Sequence, residues 1–256
     1  MKFLVNDGKY FTNAILNCTL KGKFFTSGGV KNKSLGDYVY LELKENQLLI
    51  YNADDTMALE QTMFVEGLED GNATVEASKL LQYLKKFGDN FTITMKDVIR
   101  ITGGGKTASM GIVVNHPYYD MITVFKSRVN DYNFSQELKD YPAWSDRLSF
   151  ETKITINSDT FIEAVSACEI VGTGIYKMDY GEDFSISSTD DFAGFNSICD
   201  TLTNEGEEAT VEFTSPIHRF FEKKSVMSIL FNDDSPILFL AGDRKLFKAP
   251  FITMLR

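Results

Sequence analysis

Histidine and cysteine are scarce in this chain of 256 residues, which contains two histidines and three cysteines. Neither His116 nor His218 has a candidate nucleophile or metal ligand close to it in sequence, so the usual residues of hydrolytic or zinc-dependent catalysis are missing. The cysteines are widely spaced and form no Cys-x-x-Cys pair. We therefore expect no metal site, no cofactor and no enzymatic activity, and we expect the cysteines to be small buried apolar residues.

The sequence also lacks a secretory signal peptide and any apolar run of membrane-spanning length. We expect a soluble, intracellular (cytoplasmic) protein with no membrane partner. Basic residues are in the minority, because 26 lysines and arginines face 36 acidic residues, for a net charge of −10. A uniformly acidic surface repels duplex DNA, so a nucleic-acid partner would require the cations to be concentrated on one surface.

Two short patterns that could indicate catalysis have simpler interpretations. Residues 103–107, Gly-Gly-Gly-Lys-Thr, resemble part of a phosphate-binding loop, but Arg100 stands where that motif needs glycine. The stretch also joins two predicted strands instead of opening a helix, so we interpret it as a hairpin turn. Three aspartate pairs, at 54–55, 190–191 and 233–234, are not expected to bind metal, and the first two are interpreted as turns at repeat-related strand ends.

The clearest positive feature of the sequence is an internal repeat. Ala73-Thr74-Val75-Glu76 recurs as Ala209-Thr210-Val211-Glu212, at an offset of 136 residues. Two further segment pairs keep this offset: 49–55 with 185–191, and 90–97 with 226–233. Since two copies are too few for a solenoid, we interpret the chain as a duplicated domain.

A third segment pair has a different offset. Residues 11–18 and 161–168 share the pattern Phe-x-x-Ala-[Ile/Val]-x-x-Cys, at an offset of 150 residues. The difference is explained if the first copy holds extra residues between its first helix and its next strand, and the glycine-containing stretch 22–37 is the obvious place for them. The predicted organisation is an N-terminal domain over 1–125, a connector over 126–147 and a C-terminal domain over 148–256.

Each copy is predicted to contain two helices and a mostly antiparallel sheet, which is an α+β architecture. The first helix presents Phe11, Ala14, Ile15 and Cys18 on one face, and a second helix follows Glu76. Helices of the second copy are predicted over 158–168 and from Ser215-Pro216 onward, and an acidic turn is predicted at 204–208. The stretch 115–147 mixes aromatic and charged residues and is expected to be irregular.

Positive charge is placed unevenly on these helices. Residues 78–87 contain three lysines and no acidic residue, whereas residues 218–224 contain one arginine, two lysines and one glutamate. If each helix packs its apolar face on a sheet, these cations share the exposed face. An ordinary solvated helix surface would explain either helix alone.

In its order and spacing of elements, the sequence resembles the sliding clamps of DNA replication, of the proliferating cell nuclear antigen type with its archaeal and viral relatives. The resemblance spans nearly the whole chain. Four segments carry it: 48–55 followed by Met57-Ala58-Leu59; 75–86; Asp234-Ser235-Pro236-Ile237; and Leu246-Phe247-Lys248-Ala249-Pro250.

The resemblance implies a ring of three identical chains that encircles duplex DNA and tethers DNA polymerase. The helices would line the hole and contact phosphates without reading bases, while an acidic exterior would repel DNA. Expected partners are double-stranded DNA and, through short peptide motifs, the polymerase and clamp loader, in replication and repair. A checkpoint-type clamp and a monomeric, non-ring processivity factor of the same fold stay open as alternatives.

The resemblance also implies three sets of site residues. The candidate DNA-facing residues are Lys79, Lys85, Lys86, Arg219, Lys223, Lys224, Lys9, Lys21 and Lys23, although the third helix carries Asp159 and Glu163 instead of cations. The candidate partner-peptide pocket comprises Met57, Leu59, Pro236, Phe247, Ala249 and Pro250, with Val129, Tyr132, Phe134 and Leu138 from the connector. The candidate subunit interface comprises Met110, Ile112, Val114, Phe192, Phe195 and Ile198.

Overall fold

The structure, a computed structural model, describes residues 1–19, 38–113, 115–129, 133–134, 149–214 and 217–251. Within these residues the chain divides into two compact units, and the division falls between Ile122 and Thr123. The first unit contains β1 (Lys2–Val5), α1 (Gly8–Asn17), β2 (Tyr38–Lys44), β3 (Gln47–Ala53), β4 (Met57–Phe64), β5 (Glu66–Glu69), β6 (Gly71–Glu76), α2 (Ala77–Leu84), β7 (Phe91–Met95), β8 (Val98–Gly103) and β9 (Lys106–Gly111).

One helix, α3 (Tyr119–Val129), spans the division between the units. The second unit contains β10 (Asn133–Phe134), β11 (Ser149–Phe150), β12 (Thr152–Asn157), α4 (Ser158–Cys168), β13 (Ile175–Tyr180), β14 (Phe184–Thr189), β15 (Gly194–Ile198), β16 (Thr201–Gly206), β17 (Ala209–Thr214), β18 (Val226–Phe231), β19 (Ile237–Ala241) and β20 (Arg244–Lys248). It also contains two short 3-10 helices, Glu169–Val171 and Ile217–Phe220.

The two units repeat one strand topology. In the first, five strands are ordered β5-β1-β7-β8-β9 and four are ordered β4-β3-β2-β6. In the second, the corresponding orders are β16-β12-β18-β19-β20 and β15-β14-β13-β17. The repeated Ala-Thr-Val-Glu segments lie on equivalent strands, β6 and β17, each of which pairs antiparallel with one neighbour, β2 and β13 respectively. The predicted duplication of an antiparallel α+β domain is therefore confirmed.

Equivalent aromatic residues anchor the two cores. Phe11 on α1 and Phe161 on α4 occupy the same place in the repeat, and both are fully buried. The Phe11 ring lies 6.0 Å from the ring of Phe91, while the Phe161 ring lies 5.5 Å from that of Phe239. Burial of such a side chain contributes about 1.5–3 kcal/mol to folding, so these contacts fix each helix against its sheet. The cysteines at 18, 168 and 199 are buried and unbridged, as predicted.

The glycine-rich stretch at 103–107 is a hairpin turn, as predicted. Gly103 pairs with Lys106, so only Gly104 and Gly105 lie between β8 and β9. Their φ angles are +56° and +73°, both in the left-handed region, which is the requirement of a type I′ turn. A side chain at either position would strain the backbone, and this explains the pair of glycines.

Three sequence-based expectations were wrong. In place of the expected fourth helix, the residues described after 216 begin with the 3-10 helix Ile217–Phe220, in a link between β17 and β18 (215–225) that is shorter than the link between β6 and β7 (77–90). The expected acidic turn at 204–208 lies largely within β16, whose residues pair with β12. The stretch expected to be irregular after residue 115 contains helix α3, which has an acidic first turn and a basic last turn, as favoured by the helix dipole.

Candidate nucleic-acid interface

The exposed surface of α1 carries the first candidate cation. Asp7 caps this helix by accepting a hydrogen bond from the backbone N–H of Tyr10 at 2.8 Å. The face formed by Phe11, Ala14 and Ile15 is buried against the sheet. Lys9 consequently points to solvent, and it is exposed.

Helix α2 presents three lysines at its exposed side and C-terminal end. Its residues Ala77, Leu80 and Leu84 are buried. Lys79 lies on the opposite face, and Lys85 and Lys86 follow the last turn; all three are exposed. The 3.6-residue period of the buried leucines thus places these cations in solvent, as the sequence predicted.

A cleft of about 220 Å³ brings α1 and the end of α2 together. Its lining is formed by Gly8, Lys9, Thr12, Asn13, Leu84, Lys85, Phe87, Gly88 and Asp89. The approach is close, since a Cβ atom at Gly8 would lie only 2.5 Å from the carbonyl oxygen of Gly88. Glycine at the first position of α1 therefore permits Lys9 and Lys85 to lie on one cleft, although they are far apart in sequence.

Lys106, which the sequence analysis did not select, joins the same surface. Its ammonium group donates a hydrogen bond to the backbone carbonyl oxygen of Lys86 at 2.9 Å. The residue sits just after the β8–β9 turn and is exposed. It was missed because it was considered only as part of a phosphate-loop pattern, and no periodicity links a hairpin turn to the end of a helix.

The cations of the first unit form what we call the basic surface, defined by Lys9, Lys79, Lys85, Lys86 and Lys106. Among the described residues, no carboxylate lies within ion-pairing distance of any of these five ammonium groups. Their positive charge is therefore available to an anion in solution. Two further candidates, Lys21 and Lys23, lie outside the described residues.

The equivalent surface of the second unit is electrically mixed. Helix α4 carries Asp159 and Glu163. The Nη2 atom of Arg219 lies 2.7 and 2.8 Å from the two carboxylate oxygens of Glu169, in the 3-10 helix after α4. His218 is buried, with its Nε2 atom 3.8 Å from the same carboxylate. Burial lowers the pKa of His218 to about 4; Glu169 opposes this shift and Arg219 adds to it.

Lys223 and Lys224 are exposed at the end of this surface. The backbone N–H of Lys224 donates to the carboxylate of Asp159 at 2.7 Å, and Lys224 has a left-handed φ of +60°. Arg244 on β20 fixes the preceding segment, because its guanidinium donates to the Phe220 carbonyl oxygen and to the Glu222 carboxylate. Lys223 and Lys224 thus lie on a turn that these hydrogen bonds hold in place and that is flanked by the carboxylates of Asp159 and Glu222.

The candidate peptide pocket is only partly available. Met57 and Leu59 on β4, in the first unit, are almost fully buried, and so is Val129 on α3. Met57 and Leu59 therefore offer little surface to a peptide in the single chain, because β4 is buried along most of its length and does not alternate. Four residues of the second unit, Pro236, Phe247, Ala249 and Pro250, are half-buried. The remaining candidates Tyr132 and Leu138 lie outside the described residues, and for Phe134 only the backbone in β10 is described.

The candidate interface residues lie at two sheet edges. Strand β9 ends its five-stranded order and β15 ends its four-stranded order. On and beside β15, Phe192 is 98% exposed, Ile198 68% and Phe195 38%. On the other edge Met110 is buried and Ile112 is half-buried, while Val114 lies outside the described residues. Just after β9, the backbone N–H of Val113 donates a hydrogen bond to the carbonyl oxygen of Thr74 on β6, so this part of the edge is already paired within the chain.

The part of the chain that the structure describes contains no group of three or more His, Cys, Asp or Glu residues that could hold a metal ion. It also contains no helix that is long and apolar enough to cross a membrane.

Comparisons with known proteins identify the fold. No family model and no curated protein sequence matches the chain. PCNA of A. fulgidus, solved with the C-terminal region of FEN-1, is 13% identical with a TM-score of 0.68 over 99% of each chain. The PCNA of Thermococcus kodakaraensis is 12% identical with a TM-score of 0.65, over 98% of this chain and 99% of that one.

A bacterial clamp matches as well. The DNA polymerase sliding clamp of Bacillus subtilis is 14% identical with a TM-score of 0.72, over 99% of this chain but only 65% of its own length. The chain therefore spans about two thirds of this bacterial protein and nearly all of the two archaeal ones. These likenesses cover almost every residue of the chain, and they show that it has the fold of the DNA sliding clamps.

Proposed function

We propose that this protein is a DNA sliding clamp, a processivity factor that encircles duplex DNA and tethers DNA polymerase and other replication proteins. The observation that carries the proposal is the basic surface, whose five ammonium groups have no carboxylate partner among the described residues, on a chain with the clamp fold. Sliding requires attraction to phosphates without recognition of bases, and exposed lysine ammonium groups supply it. A net charge of −10 is compatible with this role because five lysines of the first unit lie together on the basic surface.

The proposed assembly is a ring of three chains. The likeness to A. fulgidus PCNA extends over 99% of both chains, and it supports an assembly of the PCNA type. We place β9 of one chain beside β15 of the next, because these edges offer unpaired backbone groups. The exposed Phe192 and Ile198 would be covered in the same contact.

The proposed partners bind through short peptides. A. fulgidus PCNA was solved with the C-terminal region of FEN-1, and the Helicobacter pylori beta clamp was solved with a DNA ligase peptide. By analogy, we propose that polymerase and clamp loader bind this chain through such motifs. The half-buried Phe247 and Pro250 are the proposed contacts, since they combine apolar character with partial exposure.

A topological assay tests the proposal without a loader or a polymerase. Light scattering on a gel-filtration column should give three times the chain mass of 28.9 kDa. A linear duplex biotinylated at both ends is then blocked with streptavidin either before or after the protein is added. A ring should survive a high-salt wash only on the duplex that was blocked afterwards, because salt removes electrostatic binding but not a threaded ring.

The contrary results separate the alternatives. A chain that stays monomeric and never becomes trapped is a non-ring processivity factor or not a clamp. A trapped trimer that fails to stimulate any replicative polymerase indicates a checkpoint-type clamp. Equal loss from both duplexes in high salt contradicts encirclement.

A further inference from the structure

The two equivalent helical surfaces of this chain carry opposite net charge. In the first unit, residues 8–17 and 77–90 contain four lysines and one aspartate, for a net charge of +3. In the second, residues 158–171 and 217–225 contain three cations and four acidic residues, for a net charge of −1 with histidine neutral. The duplication has preserved the strand topology while the surface chemistry has diverged.

The Arg219–Glu169 pair accounts for part of this difference. The Nη2 atom of Arg219 contacts both carboxylate oxygens of Glu169, at 2.7 and 2.8 Å. Both side chains are about one third exposed, at 35% and 30%. A charge-assisted bond with this geometry is stronger than a neutral one, so a DNA phosphate would have to compete with an existing partner for Arg219.

The surroundings of the pair hold it in place. The Phe220 backbone, next to Arg219, is fixed by a hydrogen bond from Arg244, and the side chain of Arg244 is 5% exposed. His218, on the other side of Arg219, is buried. Asp159 and Glu163 on α4 add negative charge to the same surface, and they would repel an approaching phosphate.

We propose that Glu169 withholds Arg219 from the DNA backbone, so that the basic surface of the first unit provides most of the phosphate contacts. This inference rests on the proposed clamp function. Each chain then contacts the DNA phosphates mainly through its first unit. Removal of the Glu169 charge is accordingly expected to strengthen DNA binding more than removal of a nearby carboxylate that holds no arginine.

The proposal can be tested by equilibrium binding of the 256-residue protein to a short fluorescein-labelled duplex. Fluorescence anisotropy measures the affinity over a range of salt concentrations. Glu169→Gln should raise the affinity and make log K fall more steeply with log salt, by about 0.9 for each added phosphate contact. Glu163→Gln is the matched control, because it removes the same charge from an exposed α4 position. It should give a clearly smaller gain.

Two further variants keep the outcome decisive. In the double variant Glu169→Gln/Arg219→Gln the gain should disappear, because the contact that it releases is gone. Arg219→Gln alone should lower the affinity less than Lys85→Gln does. Equal gains for Glu169→Gln and Glu163→Gln, or a gain that persists without Arg219, would overturn the inference.

Failure of the proposed function has a different signature. Wild-type protein that shows no salt-dependent affinity for the duplex, and whose affinity is unaffected by Lys85→Gln, is not a DNA-encircling protein. Wild-type protein that binds DNA and depends on Lys85, but responds identically to the two glutamate variants, remains a clamp in which Arg219 is not withheld.

Discussion

The ammonium group of Lys106 lies 2.9 Å from the backbone carbonyl oxygen of Lys86. This hydrogen bond ties the β8–β9 hairpin to the end of α2, where the backbone carbonyls lack intrahelical partners. It places a cation from a turn beside Lys85 and Lys86, which come from a helix. The basic surface is therefore assembled from separate elements of the first unit, and its extent depends on the tertiary fold.

Replacement of Lys106 by glutamine should weaken DNA binding. The slope of log K against log salt should become shallower by about 0.9 for each phosphate contact that the whole complex loses. Lys96→Gln is the matched control, since Lys96 is also exposed but lies at the other end of β8, about 20 Å away at the usual rise per residue. Anisotropy of a labelled duplex measures both. Identical salt slopes for the two variants would place Lys106 outside the interface.

Reversal of two charges at the end of α2 should abolish clamp activity. In Lys85→Glu/Lys86→Glu, two attractive contacts per chain become repulsive, so polymerase processivity on a primed template should no longer be stimulated. Both side chains are exposed, so the thermal unfolding midpoint should change little. Lys223→Glu/Lys224→Glu should reduce stimulation less, because those lysines already adjoin Asp159. Unchanged stimulation by the first variant would remove both lysines from the lining.

The fold could be predicted from the sequence to a large extent, because its main signals are local and repeated. The apolar period of Phe11, Ala14 and Ile15 predicted α1, and the glycine pair at 104–105 predicted a hairpin. The repeat then related the two units strand by strand. The fourth helix could not be judged from local signals: Ile217 and Phe220 have helical spacing, but the described residues there form a 3-10 helix, and Arg244 holds its end through the Phe220 carbonyl oxygen.

The candidate site could be predicted only in part. Exposure of Lys79 and Lys85 followed from the helix period. The pairing of Arg219 with Glu169 could not be predicted, because fifty residues separate them and no periodicity connects them. Burial of Met57 could not be predicted either, since its strand is covered by packing that a sequence pattern does not reveal. Local periodicity thus identifies which face is exposed, whereas tertiary contacts decide which charges on it are free.

The exposed edge at β15 should control assembly. Phe192 and Ile198 are 98% and 68% exposed in the single chain, so Phe192→Ser/Ile198→Ser should leave the free energy of unfolding of the chain within about 0.5 kcal/mol of wild type. An aromatic anchor at an interface contributes about 2 kcal/mol or more, so the dissociation constant of the trimer should rise at least about 30-fold. Light scattering at several protein concentrations measures this.

Phe64→Ser serves as the control for assembly. Phe64 is 81% exposed, but it lies at the end of β4 in the first unit and not on β15. If Phe64→Ser dissociates the assembly as strongly as the β15 variant does, loss of exposed apolar area in general explains the effect. If neither variant changes the mass of the assembly, β15 is not a subunit contact.

His218 should make the stability of the second unit depend on pH. Burial lowers the pKa of His218 to about 4 in the folded protein, whereas a free histidine titrates near 6.5. Between these values the unfolded chain binds a proton that the folded chain does not, so the free energy of unfolding falls as the pH drops, on the order of 1 kcal/mol per pH unit. The contribution of His218 to stability is complete above about pH 6.5 and is lost progressively towards pH 4.

Urea titrations across this pH range should show a shallower pH dependence of the free energy of unfolding for His218→Gln than for wild type, because the carboxylates contribute equally to both proteins. Parallel curves for the two proteins would mean that His218 is protonated as readily in the folded state as in the unfolded one.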